Sequence, residues 1–450
     1  MEIELRSHVF GNEADIEGLP LTAEMSLFVD NLPSEISNVL DEIAENGGGA
    51  WIVGGAVRDA SMGLDASDID LATDLRPEQL LKIFPSAIET GVAFGTITVK
   101  SGDYLLQTTT LRIDGEYNDA RRPESVEYEL SLEKDLKRRD FTINAMAIDV
   151  ARRRYYDPSN GMLDIKNRII RSVGNPHKRI NEDALRILRA FRFLGQMEQS
   201  DWRLEEQLSI AITECSYLIR DLSKERIWQE FFKILSFSRA CQILISMIDC
   251  GVLSIVFQWD KVDQTKVISA LEESPKLDYA ALFVLLNYVL NTAELKQLCV
   301  DLKLSKKQTR EIISTSERAR IIPSNDPKYL RLYRHLNGDR SMQILELSRI
   351  FSHHQMVDKL SMVNSDYFAE IISLIGKLPP LTKTQQLVDG NWLMTSTGIK
   401  QGMRLGRLKE WLFRLQIENN WNSIAEVEQF LATIHWQSSD YEAWPQMSLE

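Results

Sequence analysis

Asp68 and Asp70 flank a single isoleucine in "SDIDLAT", residues 67–73. On a strand, side chains two apart share a face, so the two carboxylates project together while Ile69 and Leu71 turn to the opposite, buried side. Two carboxylates on one face repel unless a cation sits between them. Oxygen ligands of this kind suit Mg²⁺, which completes its shell with substrate phosphates. Such a site can activate an attacking hydroxyl and neutralise a leaving group. Taken alone, the pattern fits a solvated acidic strand equally well. Just upstream, Gly54 and Gly55 in "VGGAVRD" lack Cβ atoms, so the backbone can approach a ligand and turn its N–H groups toward phosphate oxygens. Arg58 adds a charge able to pair with the same phosphates. The alternative for the glycines is a tight strand-to-helix turn. The chain has no GxxxxGK[ST] and no GxGxxG, so it carries neither a P-loop nor a dinucleotide fingerprint.

A second group of polar residues lies in "NEDALRILRAFRF", residues 181–193. Asp183 and Arg186 are three apart, which makes them neighbours on a helix. Cytosine and adenine both present an amino donor beside a ring-nitrogen acceptor. A carboxylate accepting from the amino group and a guanidinium donating to the ring nitrogen fit both bases. Uracil and guanine present the reverse order and leave buried polar groups unpaired, at roughly 1–3 kcal/mol each. Asn181 reads as the N-cap of this helix, with Glu182 and Asp183 suited to its positive end. Arg189 and Arg192 continue at three-residue spacing, and either line nucleotide phosphates or form the basic face of the helix. "KRRD" at 137–140 is either part of a site or a solvated charge cluster.

These residues need a scaffold. Residues 23–47 read as one helix, with Met25, Phe28, Leu32, Ile36, Leu40 and Ile43 at helical spacing and "NGGG" as its end. "AWIVGG" is a short buried strand, "AVRDASMG" a turn or short helix, and "SDIDLAT" a second strand. "RPEQLLKIF" opens a helix with Pro77 in its first turn. "GTITVKSGDYLLQTTTLR" reads as a hairpin around Ser-Gly-Asp, and "IDGEYNDARRPES" as a polar loop. "FTINAMAIDVARRRYYDPSNG" carries further strand and turn signals, and from about residue 180 the pattern is helical almost throughout. The fold class expected is an α+β head, a small β-sheet with flanking helices, followed by all-α domains. "IIPSNDP" (321–327) and "KLPPLTK" (377–383) are the linker candidates.

At 450 residues the chain should hold two to four units at roughly 100–200 residues each. Hydrophobic content of 44% and charged content of 26% argue against disorder. The longest nearly apolar run, "YAALFVLLNYVL" (279–290), is shorter than the about 20 residues of a bilayer span, so it reads as a buried helix. The acidic N-terminus shows neither a signal nor a transit peptide pattern. Cys215, Cys241, Cys250 and Cys299 are scattered without CxxC, which fits reduced cytosolic thiols, mostly core fillers, and implies no zinc site. Net charge is −13, yet residues 138–192 hold 13 Lys/Arg against 6 Asp/Glu, a local +7. A basic stripe on an acidic protein can track a phosphate backbone. It can equally be a helix face with its own counter-charges.

"GGAVRD" followed by "DID" resembles the signature of the class II tRNA nucleotidyltransferase and bacterial poly(A) polymerase family. Four further segments resemble that family's motifs in order: "RRDFTINAMA" (138–147), "YYDPSNGMLDIKNRIIRSVGNP", "EDALRILRAFRF" (182–193) and "LSKERIWQEFFKIL" (222–235). The resemblance is strong over roughly residues 50–235 and weak beyond, where "VDGNWLMTSTGIKQGMRLGRLKEWL" carries it. It implies that Asp68 and Asp70 ligate catalytic Mg²⁺, that Gly54, Gly55, Arg58 and Arg139 meet the incoming nucleotide, and that Asp140 meets its ribose. It gives Asp183 and Arg186 the base-selecting role, with Arg189 and Arg192 beside the nucleotide. Arg112, Asp114, Asp119, Arg121 and Arg122 belong to a stretch that resembles the family's flexible loop, including "DARRP". Members adding only CC tend to lack that loop. One departure stands out: Gln107 occupies a position where the family usually has glutamate.

The resemblance implies CCA addition to tRNA 3′ ends from CTP and ATP without a nucleic acid template, in the cytoplasm and away from membranes, by a monomer or a homodimer. The alternatives are an A-adding enzyme or poly(A) polymerase, against which the acidic tail "WQSSDYEAWPQMSLE" speaks, and an RNA-binding protein without catalysis. The expected division is an extension at 1–22, a nucleotidyltransferase head at 23–155, a helical neck at 156–235, a helical body at 236–350 and a tRNA-binding helical tail at 351–450.

Overall fold

The computed structural model describes residues 8–66, 68–92, 95–114, 126–128, 130–197, 201–274, 277–434 and 436–449. The chain divides into two compact units, Met1–Trp259 and Asp260–Glu450.

The first unit begins with β1 (Leu19–Pro20) and then two helices, α1 (Ala23–Asp30) and α2 (Ser34–Glu45), where one was expected. Pro33 separates them: it has no N–H to continue α1, and its fixed φ suits the N-cap of α2. The apolar spacing crossed the break because Ile36, Val39, Leu40 and Ile43 of α2 bury against the same core that takes Met25 and Val29 of α1. Next come β2 (Ala50–Val53), α3 (Gly55–Ser61), β3 (Asp70–Thr73) and α4 (Pro77–Ile83). The strand expected over 67–73 is therefore shorter, and Asp68 lies in the bend before it. β4 (Ile88–Gly91), β5 (Thr96–Ser101) and β6 (Tyr104–Thr110) follow, with β5 and β6 forming the expected hairpin from Thr96 opposite Thr109 to Ser101 opposite Tyr104. β7 (Arg112–Asp114) pairs with β8 (Val126–Tyr128), and α5 (Leu132–Lys137), β9 (Ala147–Asp149) and β10 (Arg154–Tyr156) complete the head.

The main sheet runs β1-β10-β9-β2-β3-β6-β5-β4. β3 and β6 are parallel, and every other neighbouring pair is antiparallel. Ile52, Leu71, Ile97, Leu106 and Ile148 point from it into the core. Each buried aliphatic side chain contributes about 1.5–3 kcal/mol. The opposite ends of β2 and β3 are therefore fixed, and these ends carry the polar residues singled out above.

The first unit continues with α6 (Gly161–Asn167), β11 (Ile169–Ile170), α7 (Pro176–Glu182), α8 (Leu185–Gln196) and β12 (Arg203–Leu204), whose parallel pairing with β11 is a small strand element inside the region expected to be helical. α9 (Glu206–Cys215), α10 (Lys224–Leu235), α11 (Ala240–Asp249) and α12 (Val252–Phe257) close it. Asn181 is not an N-cap. It lies inside α7, which Asn175 caps, and the chain breaks at Asp183 in extended conformation (φ −149°, ψ 104°) before α8 starts.

The second unit is helical: α13 (Gln264–Glu272), α14 (Tyr279–Leu286), α15 (Thr292–Asp301), α16 (Lys306–Ala319), α17 (Pro327–Asn337), α18 (Ser341–His353), α19 (Asp358–Ser361), α20 (Ser365–Lys377), α21 (Gly390–Thr397), α22 (Met403–Asn419) and α23 (Ile424–Leu431). The apolar run is α14, buried at every position from Ala280 to Leu286. Among the described residues no helix is long and apolar enough to cross a membrane. All four cysteines are free. Two expected boundaries fall inside elements: 155/156 within β10 and 350/351 within α18. Continuous hydrogen bonding and packing run through both points, which sequence composition does not register.

Candidate active site

A cleft of about 960 Å³ opens at the polar ends of β2 and β3 and is also lined by Arg138–Asp140 after α5, by α8 and by Arg226 of α10. Gly54, Gly55, Arg58, Asp68, Asp70, Arg112, Arg139, Asp140, Asp183, Arg186, Arg189 and Arg192 all line it. Residues more than a hundred positions apart in sequence thus share one space. Asp119, Arg121 and Arg122 lie outside the described residues, as does the side chain of Asp114.

At one end, Asp70 heads β3 opposite Val53. Ile69 is buried beneath and Asp68 is exposed, so the alternation expected for a strand persists into the bend. Burial, with the charge of Asp68 added, raises the Asp70 carboxyl above the usual aspartate range against the opposing pull of Arg139. Two close carboxylates, one half-buried and held up in this way, are a donor set that a divalent cation relieves. Leu71 pairs with Thr108 on the parallel strand β6, so Gln107 stands one residue before, alongside Asp70, and lines the same cleft. At this third position the chain has an exposed amide and no charge.

The glycine turn departs in part from expectation. Gly54 has φ +75°, a backbone conformation suited to glycine, and its N–H donates to the Met146 carbonyl at 3.3 Å. That N–H closes the turn and is not offered to a ligand. A Cβ on Gly54 would stand 3.1 Å from Arg139 Nη1, so the glycine also leaves room for that guanidinium. Gly55 begins α3, where the first N–H groups have no intrahelical acceptor. Arg58 is 2% exposed, donates from Nη1 to Asn144 Oδ1 at 2.9 Å, and pairs with Asp59 at 2.7 Å.

The arginines of the cleft are held by carboxylates. Asp135 accepts from Arg138 Nη2 at 2.6 Å and Arg139 Nη2 at 3.2 Å. Burial opposes its ionisation, but the two guanidiniums hold its carboxyl below the usual range. Asp140 is bound by Arg189 at 2.7 Å, and Arg189 with Arg186 likewise outweighs burial there. Arg192 pairs with Glu230 at 2.9 Å. The ring of Phe193 gathers Arg58, Arg189 and Arg192 at 5.7, 5.3 and 4.2 Å. Arg189 and Arg192 are thus counter-charged walls of the cleft, not a free basic face. The same holds for most of the local +7: Arg152, Arg153, Arg168, Arg171 and Arg179 also have carboxylate partners.

The chain break at Asp183 leaves that residue lining the same cleft. Asp183 accepts from the Leu185 N–H at 3.0 Å and from Arg226 Nη2 at 2.9 and 3.2 Å on its two oxygens. Arg186 donates to the Arg179 and Arg138 carbonyls at 2.9 and 3.3 Å and to Glu182 at 3.0 Å. Those three bonds leave two of its five N–H groups for another partner among the described residues. Glu182, read above as a helix-end charge, is a clamp joining Arg179 and Arg186. Arg226 is the residue missed by sequence reasoning. It sits in "LSKERIWQEFFKIL", but only the fold brings it to Asp183.

Residues 50–171 match the family described as poly A polymerase head domain, and residues 201–258 match the probable RNA and SrmB-binding site of polymerase A. The CCA-adding enzyme of Bacillus licheniformis is 34% identical over 372 residues, covering 82% of this chain and 88% of that protein. In fold the chain is similar to the crystal structure of Bacillus stearothermophilus CCA-adding enzyme in complex with CTP, with TM-score 0.64 at 24% identity over 92% of this chain and 99% of that one. It is also similar to Thermotoga maritima CCA-adding enzyme complexed with tRNA, with TM-score 0.58 at 21% identity over 91% and 98%. With a nucleotide-sized cleft of paired carboxylates and clamped arginines, and with this extent of sequence identity, the chain belongs to the CCA-adding enzyme family of nucleotidyltransferases.

Proposed function

We infer that this protein adds CCA to the 3′ end of tRNA from CTP and ATP, choosing each base with its own side chains. The observation that carries the reading is the Asp183–Arg186 pair, held by its own hydrogen bonds in the same cleft that Asp68 and Asp70 line. The tRNA 3′-hydroxyl oxygen attacks the α-phosphorus of the bound nucleotide, the bond to the bridging oxygen breaks, pyrophosphate leaves and the hydroxyl proton passes to solvent. Asp68 and Asp70 would hold Mg²⁺, which when bound would supply hydroxyl activation and charge neutralisation on the phosphates. Arg58, held by Asn144 and Asp59, and Arg139, held by Asp135, present positive charge to the triphosphate from fixed positions, so little reorganisation accompanies the reaction. Asp140, kept ionised by Arg189, is an acceptor suited to a ribose hydroxyl.

The carboxylate of Asp183 keeps lone pairs for an exocyclic amino group, and Arg186 keeps N–H groups for a ring nitrogen. This pair accepts C and A and sets like against like with U and G. We assign the holding of tRNA to the helical unit at Asp260–Glu450, because a folded RNA is read more by shape than by sequence. The loop at 112–125 is the part we assign to the switch from C to A. The assay supplies tRNAs ending before CCA, after C and after CC, with each nucleoside triphosphate and Mg²⁺, followed by sequencing of the ends. CCA followed by arrest supports the reading. Unlimited A addition to any RNA makes the protein a poly(A) polymerase, and absence of incorporation makes it a binding protein.

A further inference from the structure

The helical unit gathers three donor side chains with no part in nucleotidyl transfer. Glu273 is the C-cap of α13, His353 is the last residue of α18, and His354 is its C-cap. Glu273 Oε1 lies 3.3 Å from His353 Nε2, and Glu273 Oε2 lies 3.3 Å from His354 Nε2. One donor atom from each residue falls within 4.8 Å of the other two. His354 Nε2 is buried and makes no hydrogen bond among the described residues.

We propose that Glu273, His353 and His354 bind a zinc-type divalent cation. Zinc holds nitrogen and carboxylate ligands at about 2.0–2.1 Å, and a tetrahedral angle at that radius separates ligand atoms by about 3.3 Å. Each imidazole nitrogen already stands at this separation from one oxygen of Glu273, Oε1 for His353 and Oε2 for His354. Two imidazoles and one carboxylate favour zinc, cobalt or nickel over magnesium, which takes oxygen ligands and keeps its waters. Two helix C-termini meet here, and their partial negative charge favours a cation. The frame is braced independently: Lys266 Nζ of α13 donates to the Gln355 carbonyl, just past α18, at 2.9 Å. Arg349 is 3.9 Å from Glu273, but its guanidinium is bound by Glu346 at 2.8 and 3.1 Å, so Glu273 remains available. Glu273 and His353 are 38% and 49% exposed, which leaves solvent to complete the shell and makes the cation exchangeable.

The test titrates Zn²⁺ into the full chain by calorimetry with Mg²⁺ in millimolar excess, so that the carboxylates of the cleft are not the ones counted. One Zn²⁺ per chain is expected, with a rise in Tm, and both are lost in His354→Gln. Glu273→Gln, at an exposed position that leaves folding intact, loses the same equivalent, and Co²⁺ in the native protein gives a tetrahedral visible spectrum absent from both variants. CTP incorporation with Mg²⁺ is unchanged in either. No Zn²⁺ bound by the native chain, or the same equivalent in Glu273→Gln as in the native chain, overturns the proposal.

Discussion

Asp183→Ala is the perturbation that separates base reading from mere nucleotide binding. On the proposed reading, a uracil or guanine in the native cleft meets two mismatches: its carbonyl faces the Asp183 carboxylate and its ring N–H faces Arg186. At about 1–3 kcal/mol for each unpaired buried group, rejection amounts to roughly 2–6 kcal/mol, or about 30-fold to 2 × 10⁴-fold in kcat/KM. Removing the carboxylate deletes one mismatch, so the penalty on UTP and GTP falls to about 5-fold to 150-fold. CTP and ATP lose one hydrogen bond each, which costs them a comparable factor. Arg226 then loses the acceptor it holds at 2.9 Å. Because Asp183 and Arg226 are about a quarter exposed, their coupling is screened, and we expect about 1 kcal/mol, roughly fivefold, in a double-mutant cycle with Arg226→Ala. The assay is single-nucleotide incorporation onto a tRNA lacking CCA, with each of the four triphosphates. Unchanged exclusion of UTP and GTP beside reduced CTP incorporation would refute the reasoning, because Asp183 would then be holding nucleotide without reading its base.

Asp68→Ala should abolish incorporation while tRNA binding by gel shift persists, and retained turnover removes the metal assignment. Gln107→Glu adds a carboxylate beside Asp70, so the Mg²⁺ concentration for half-maximal activity should fall; an unchanged titration means that position 107 does not reach the cation. Only ionised Asp70 binds a cation, and its carboxyl lies above the usual aspartate range. Mg²⁺ affinity should therefore decline about tenfold per pH unit below that pKa. Arg139→Gln removes the opposing charge and should move this limb to higher pH, a shift read from Mg²⁺ titrations across pH. Gly54→Ala forces a side chain into φ +75° and 3.1 Å from Arg139 Nη1, at about 1–3 kcal/mol in chemical denaturation with incorporation reduced further; neutrality in both would show that the turn relaxes freely.

The chemistry of the cleft was largely legible because its residues are dictated locally. Glycine before α3 and aspartates two apart at a strand head carry their physical reason in their spacing, whereas Asp183 and Arg186, three apart, are not helix neighbours because Asp183 is extended and outside α8. What stayed hidden depends on tertiary pairing. Arg226 and Glu182 look like ordinary helix charges until the fold brings them to Asp183 and Arg186. Arg189 and Arg192 looked available for phosphates because their acceptors, Asp140 and Glu230, lie 49 and 38 residues away. Of two local errors, one had a readable cause. Pro33 breaks the expected long helix, and apolar periodicity concealed it because both pieces pack on one core. The break at Asp183 has no such signal, since "NEDALRIL" is a good helical sequence and the extended residue is held by Leu185 and Arg226.

The central claim is that one carboxylate accepts the exocyclic amino group of both C and A. Native enzyme and Asp183→Ala can be compared on CTP against its 4-deamino analogue, and on ATP against its 6-deamino analogue, by kcat/KM. In the native enzyme the account predicts a loss for each analogue of about 10-fold to 150-fold, the value of one hydrogen bond to a charged partner. In Asp183→Ala both losses should vanish. Equal losses in the two enzymes would contradict it, placing the choice of base somewhere other than Asp183.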